Sequence, residues 1–403
     1  MRILQINKNY YVRGGADQIF FDSITGLQAR GHEVSVFSTH NEKNLSNAYE
    51  KYFVPGVPSL KKQEWISEKL AIIRRMFHSS LVEARLSALI LDTKPEVAHI
   101  HNAYRELSAS TFLTLKKLGV PTVMTVHDMF PLCPNHSFML GDGLAEEKLN
   151  KPYKCLLHRC INNSFQQSLA GVAEAYYYRY KKIWQHIDRF ICPSEFIQRK
   201  LIEYGFPAEK MRVVYNAVKT PASIPPLGTK VVFLGRLHVE KGIRIFMAAA
   251  KELPEASIIV AGSGPEEAWV KKYIIDNNLK NVELRGFVSG TEWEKTMAEA
   301  KVVVVPAIFY ENCSAAILEA LSLKRLVVAS NRGGNPELII DGQSGFLAEP
   351  ENPDDVAQAI KKALALKGSG VEAMQGAGND ILKKHTMEGY ISALEKVYQE
   401  VKK

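Results

Sequence analysis

VVVVPAIFYENCSAAILEAL, residues 302–321, decides how the chain is read. Residues 302–305 are an unbroken β-branched apolar run, the composition of a parallel strand buried on both faces, and Pro306 closes it. Asn312 and Ser314 are N-cap residue types, and residues 315–321 are strong helix-forming sequence. Strand, loop and helix in that order are the unit of an α/β fold with a parallel sheet. Glu311 then lies on the loop at the carboxyl end of the strand, and Glu319 about two turns into the helix. The unpaired N–H groups of the helix start lie between them. A helix start accepts an anion, and carboxylates accept hydrogen bonds from hydroxyls, so these parts suit the pyrophosphate and sugars of a nucleotide sugar. A glutamate pair alone is also what a solvated helix surface looks like, so the rest of the chain has to decide.

The 403 residues suit two domains of about 200 each. Hydrophobic residues make up 46% and charged residues 23%, which supports ample cores. The formal charge of +8 attracts anions, whether nucleotides, phospholipid headgroups or nucleic acid. It is spread along the chain with no RNP, zinc-finger or basic-zipper signature, so nucleic acid is not expected as a partner. The start, MRILQINKNYY, reads as a strand and loop without a secretory leader, and no apolar run approaches the roughly 18 residues of a membrane span. A cytoplasmic protein is expected.

Residues 61–85 read as one basic amphipathic helix, with Trp65, Ile66, Leu70, Ile73 and Phe77 on one side and Lys61, Lys62, Arg74 and Arg75 clustered. Such a helix either packs on its own sheet or lies on an anionic membrane surface, which would make the protein peripheral at the inner face of the cell membrane. Five scattered cysteines, Cys133, Cys155, Cys160, Cys192 and Cys313, fit thiols in a reducing compartment. Cys133, Cys155 and Cys160 with His158 form an alternative structural zinc site, although the spacing is not C-x-x-C.

The chain opens as a βαβ unit: a strand at residues 2–6, a helix from Ala16 with Ile19, Phe20, Ile24 and Leu27 at helical spacing, then Gly31 and a strand at 33–38. Gly14 and Gly15, beside Arg13, let the intervening loop approach a phosphate closely. Strands at 97–101 and 120–126 end at Asn102 and at His127 and Asp128, and in an open parallel sheet those ends border the ligand crevice. His99 and His101 alternate onto one face. Together with His127 and Asp128 they suggest either hydrogen bonding to substrate or a metal centre for hydrolysis. The acidic ligands of a two-metal site are not clustered with them, so hydrogen bonding is the preferred role. Residues 141–152 read as a surface loop, and the Pro-rich KTPASIPPLGT, 219–229, as an interdomain linker.

A second α/β unit follows, with a strand at 230–234 and GRLHVEKG, 235–242, turning into a helix at Ile243. Gly262 and Gly264 form a G-x-G, but Trp269 and Val270 stand where the third glycine of a dinucleotide fingerprint belongs, which disfavours a nicotinamide enzyme. Residues 331–337, NRGGNPE, repeat the plan of strand, glycine turn and helix.

Gly235, Arg236 and Lys241, the Glu311/Glu319 pair, residues 331–337, the Gly14–Gly15 loop, RGHEV at 30–34 and His127–Asp128 together closely resemble the family-four retaining glycosyltransferases of the GT-B architecture. The resemblance covers nearly the whole chain. It implies two Rossmann-like domains facing a cleft: residues 1–218 for the acceptor, a linker at 219–229, residues 230–385 for the nucleotide sugar, and a terminal helix at 386–403 crossing back to the first domain. By resemblance Arg236 and Lys241 bind the donor diphosphate, Glu319 the ribose and Glu311 the donor sugar. The amides of Ala315, Ala316 and Ile317 approach the phosphates, Phe287 and Val288 lie near the base, and Gly262 belongs to the donor side. His127 lies near the reacting sugar, and Arg13, Gly14, Gly15, His101, Asn102 and Asp128 belong to the acceptor and phosphate side.

The expected activity is retaining, metal-independent transfer of a hexosyl group from a UDP- or GDP-linked sugar to a glycan or lipid-linked acceptor, with no cofactor. Three rivals are a sugar-nucleotide epimerase of the same fold, a metal-dependent hydrolase on His99, His101, His127 and Asp128, and a non-catalytic nucleotide-sugar sensor.

Overall fold

Two six-stranded parallel sheets, one after the other along the chain, build the molecule. They are seen in a computed structural model that describes residues 1–56 and 75–402. The first sheet comprises β1 (Arg2–Ile6), β2 (Glu33–Phe37), β3 (Val97–Ile100), β4 (Thr122–Thr125), β5 (Arg189–Cys192) and β6 (Met211–Val213), in the order β2-β1-β3-β4-β5-β6. The second comprises β7 (Lys230–Leu234), β8 (Ile258–Ala261), β9 (Val282–Gly286), β10 (Ala300–Val305), β11 (Leu326–Ser330) and β12 (Phe346–Ala348), in the order β9-β8-β7-β10-β11-β12.

Helices cover both faces of each sheet, which is why the strands are apolar throughout rather than alternating. In β10, Val302 and Val304 enter one core with Phe246 and Ile360, while Val303 and Val305 enter the other with Ile317 and Leu321. Each sheet has one place where the strand order reverses, between β1 and β3 in the first and between β7 and β10 in the second. Loops leaving those neighbours run to opposite faces and open a crevice at the carboxyl ends. Both crevices lie where the sequence put its candidate residues.

The terminal helix Met387–Val401 crosses back to the first domain and packs on the helix Gly15–Ala29. Gly26 makes room for it, since a Cβ there would come within 2.5 Å of Ile391 Cδ1. Tyr398 reaches the first sheet with its hydroxyl, and Glu400 pairs with both Arg189 and Arg212 at 2.8 and 2.7 Å. The two chain crossings between domains are tied together: Val218 N–H donates to His385 O at 2.9 Å, and the His385 ring meets Asn216 O at 2.8 Å.

Three readings of the sequence change. The segment 61–85 is not one helix: His78 and Ser79 interrupt it, and Ser79 caps a new helix, Ser80–Thr93, by accepting the Val82 N–H at 3.3 Å. Lys61, Lys62, Trp65, Ile66, Leu70, Ile73 and Arg74 lie outside the described residues, and no helix among those described is long and apolar enough to cross a membrane. The supposed surface loop 141–152 is structured, with a tight hairpin pairing Met139–Leu140 with Gly143–Leu144 and two short helices, Glu146–Leu149 and Pro152–Leu157. It is held because Leu149 and Cys155 are fully buried in the first core. Finally, Cys155 and Cys160 are joined as a disulfide, with Cα atoms 5.0 Å apart, instead of standing as thiols. The turn after Leu157, with Arg159 at φ 49°, brings Cys160 back beside Cys155.

Candidate active site

On the second domain the site is built where β7 and β10 diverge. Gly242, at φ 73°, lets the β7 loop press against the β10 loop, since any Cβ there would run into Pro306 O. That contact brings Lys241 to Glu311, Nζ to Oε1 at 2.7 Å, with the ammonium 4.8 Å from the Phe309 ring centre. Glu311 is buried. Arg236, four residues before Glu240, forms an ion pair with it and is otherwise largely exposed. The two cations expected to meet a diphosphate are therefore each held by a carboxylate, and Glu240 is one that the sequence reading passed over. The i,i+4 spacing of Arg236 and Glu240 was the available signal.

The helix after Glu311 runs Ala315–Ser322, and its N-cap Ser314 makes no side-chain capping bond among the described residues. The amides of Ala315, Ala316 and Ile317 are thus left for another acceptor. Ile317 takes part only through its backbone, its side chain being fully buried. Ala315 is exposed and faces the first domain: a Cβ on Gly15 would lie 3.8 Å from Ala315 Cβ. Glu319 sits on the same helix, and burial pushes its carboxyl up to about 7. Phe287, 75% exposed, and Val288 follow β9 at the same carboxyl edge. Gly262 is buried, donates its N–H to Gly286 O at 2.6 Å and backs the Gly235 turn, so it shapes the β7 loop from behind.

On the first domain, Asn7 and Asn102 clamp the crevice: Asn7 Oδ1 accepts the Asn102 N–H at 3.1 Å, and Asn102 O accepts the Lys8 N–H at 2.8 Å. Asp17 organises the glycine loop, accepting from Asn7 Nδ2 at 2.9 Å and from the Arg13 N–H at 3.2 Å. Arg13, Gly14 and Gly15 are themselves exposed.

The three histidines form one chain. His99 meets Tyr398 OH through Nδ1 and Thr125 Oγ1 through Nε2, both at 2.7 Å. His101 meets Gln5 Oε1 through Nε2 at 3.1 Å and His127 Nε2 through Nδ1 at 2.9 Å. Because Gln5 donates its amide to Tyr398 OH, its oxygen accepts from His101 Nε2–H, so His101 Nδ1 is the acceptor for His127 Nε2–H. His127 then presents an unprotonated Nδ1. Burial pushes His99 down to about 3 and His127 to about 4 and also lowers His101, so the imidazoles are neutral. Both nitrogens of His99 and of His101 are spent on protein partners, which overturns the metal-centre reading. Asp128 pairs with His136 at 3.0 Å and accepts the Phe130 N–H at 2.9 Å; burial works against its ionisation, but these partners hold it below the usual carboxylate range.

The domains meet around Glu311. Asn312 Nδ2 donates to Val126 O at 3.2 Å, one residue before His127. Tyr310 donates its hydroxyl to Glu146, which also holds Lys200 at 2.9 Å. The amides of Ala315–Ile317, Lys241–Glu311 and His127 are thereby gathered on one cleft.

The model of Glycosyltransferase Family 4 matches residues 13–221, and that of Glycosyl transferases group 1 matches residues 228–365. The chain belongs to glycosyltransferase family 4. An uncharacterized glycosyltransferase of Methanocaldococcus jannaschii is 26% identical over 403 residues, covering 100% of this glycosyltransferase and 99% of that one. A phosphatidylinositol N-acetylglucosaminyltransferase component from Arabidopsis thaliana is 24% identical over 91% of this chain and 75% of its own. In structure, the glycosyltransferase superposes on HepE of Anabaena, solved with UDP-glucose, with a TM-score of 0.68 at 18% identity, covering 99% of this chain and 100% of that one. The GT-B fold is thereby established, and sugar transfer is the activity of the family to which the chain belongs.

Proposed function

We propose that this glycosyltransferase moves a hexosyl group, with retention and without a metal, from a UDP- or GDP-linked sugar to a glycan or lipid-linked acceptor. The observation that carries this reading is the Lys241–Glu311 pair, 2.7 Å apart, beside a helix start left uncapped by Ser314. A leaving diphosphate develops negative charge as the anomeric C–O bond breaks, and preorganised cations and amides stabilise that charge. Arg236 supplies a planar fork and Lys241 a mobile point charge. When the diphosphate arrives, Lys241 turns from Glu311 toward phosphate, and Glu311 is freed to accept hydroxyls of the sugar.

Glu319 accepts the ribose hydroxyls, with Phe287 and Val288 beside the base. In the same-face step, the acceptor oxygen bonds to the anomeric carbon as the bond to phosphate breaks. The acceptor proton passes to a phosphate oxygen, so no carboxylate nucleophile is required. The lone pair on His127 Nδ1 orients a sugar hydroxyl. The uridine donor is supported by the UDP-glucose bound to Anabaena HepE, and a lipid-linked acceptor by the phosphatidylinositol-directed relative.

The test is a thermal-shift panel of UDP, GDP, ADP, CMP and NAD, with and without EDTA, on the wild type and on Arg236→Ala. Ligand binding raises the melting temperature by mass action. A selective shift by one nucleoside diphosphate, unchanged by EDTA and lost in the variant, is expected. A shift by NAD alone, or one that needs metal, overturns the proposal.

A further inference from the structure

The amino ends of β7, β10 and β11, on the far side of the second sheet from the cleft, surround a cavity of about 730 Å³. Its size is within the range of small-molecule sites. Four cations line it, Lys301, Lys324, Arg325 and Lys367, against one carboxylate, Glu372.

Arg325 is 2% exposed, yet it pairs with no carboxylate among the described residues. Its guanidinium donates to Pro226 O at 2.7 Å, to Pro225 O at 2.5 Å and to Ala300 O at 3.2 Å, while its buried Nε has no partner among them. Lys301 likewise donates to carbonyls, Leu364 O at 2.7 Å and Leu366 O at 2.9 Å. Carbonyl dipoles satisfy hydrogen bonding but leave the charge of the buried Arg325, and of the half-buried Lys301 beside it, without a carboxylate. Burial lowers both groups accordingly, Lys301 with a further push from Lys367. Pro226, Leu366 and Val371 add apolar lining beside these cations, Pro226 and Leu366 being the residues whose carbonyls hold Arg325 and Lys301. A cluster of cations set among apolar side chains complements an anion carried on a short hydrocarbon.

We infer that this cavity binds an organic phosphate, its charge set among Lys324, Lys367 and the Arg325–Lys301 floor and its apolar part against Pro226, Leu366 and Val371. The site includes the linker itself, because Arg325 holds the carbonyls of Pro225 and Pro226. An occupant restrains the chain between the two domains and so acts on their closure from the side away from the chemistry. A soluble phosphate ester and a phospholipid headgroup share the required chemistry.

The experiment is calorimetric titration of the full chain with octyl phosphate, beside the double variant Lys324→Gln/Lys367→Gln. Neither lysine belongs to the catalytic cleft. Octyl phosphate is expected to bind more tightly than inorganic phosphate, and the double variant to lose on the order of tenfold in affinity. The variant's unliganded melting temperature and its response to nucleoside diphosphate should match the wild type. Cosedimentation with phosphatidylglycerol vesicles that octyl phosphate competes away would identify the occupant as a headgroup, and its absence a soluble ester. No binding of octyl phosphate, equal binding by the variant, or displacement by a nucleoside diphosphate overturns the inference.

Discussion

Glu337 of the second domain caps a helix of the first: its carboxylate accepts the backbone N–H of Glu195 at 2.8 Å and that of Phe196 at 2.5 Å. The helix is Glu195–Glu203, and its own Ser194 satisfies Ile197 N–H at 3.3 Å. An anion at a helix start is favoured by both the free amides and the macrodipole. The contact exists only while the domains are together, so it works as a latch beside Asn312–Val126.

Removing that latch should open the molecule. Charge-assisted hydrogen bonds are worth about 1.5–3 kcal/mol each, so Glu337→Ala should lower kcat on the order of tenfold or more while leaving nucleotide affinity nearly unchanged. Small-angle scattering with donor present should report a larger radius of gyration than for the wild type. Equal scattering and equal kcat would show that the contact does not govern closure.

With Glu319 in the proposed ribose site, donor binding should depend on pH. Its folded value of about 7 lies above the ordinary carboxyl value, so between the two the free fold holds a proton that the unfolded chain has released, and this group's contribution to stability falls as pH rises through that window. In the proposed site ribose hydroxyls donate to the ionised carboxylate, so binding should expel the proton. Affinity for a nucleoside diphosphate should rise on the order of tenfold from pH 5.5 to 7.5 and then level off. Phosphate titration adds a slope of its own, which Glu319→Gln isolates: only the part due to the carboxyl should vanish in the variant. Identical profiles in both proteins would remove Glu319 from the ribose site.

Arg236 is held by Glu240 and has to leave it to meet phosphate. Glu240→Gln removes the competing charge, so nucleoside diphosphate should bind a few-fold more tightly at low ionic strength, with the gain fading as salt screens the surface. Arg236→Lys should bind more weakly than wild type in either background, because an ammonium lacks the two parallel N–H groups of the fork. Titration calorimetry of the four combinations measures the coupling. Weaker binding by Glu240→Gln would mean that Glu240 orients Arg236 rather than competing for it.

The alternation of apolar strands and helices made the two sheets legible, because a strand buried on both faces has to be apolar along its whole length, as residues 302–305 are. Lys241, Glu311, Asn102 and His127 were legible for a related reason: they stand on loops beyond the carboxyl ends of strands, the first three of them at the switch points. What the sequence did not disclose depends on long-range packing. Glu337 and Glu195 are 142 positions apart, and no local pattern marks their contact. Residues 141–152 are rich in Gly, Glu and Lys and read as a loop, yet Leu149 and Cys155 anchor them and bring Glu146 to Tyr310. Hydrogen bonding was the preferred reading of the histidines, and the metal rival stayed open because spacing along strands says nothing of Gln5, Thr125 and Tyr398, which with His127 take up the nitrogens of His99 and His101.

Those buried histidines tie acid stability to the first domain. An unfolded histidine titrates near 6.5, whereas burial holds His99 at about 3 and His127 at about 4 in the fold. As pH falls below 6.5 the unfolded chain takes up protons that the fold refuses, so stability should fall between about pH 6.5 and 4 and change little more from these groups below 3. The loss should reach a few kcal/mol, read as a falling urea midpoint. Between pH 6 and 9 the same neutrality means that none of the three contributes an ionisation to kcat/KM. His127→Gln keeps a donor toward His101 and an acceptor toward substrate, so it should retain part of the activity and show a shallower acid slope in stability. A fall of kcat/KM as pH rises through about 6.5, absent in His127→Gln, would mean that the working form is an imidazolium, with Nδ1 donating to the substrate instead of accepting from it.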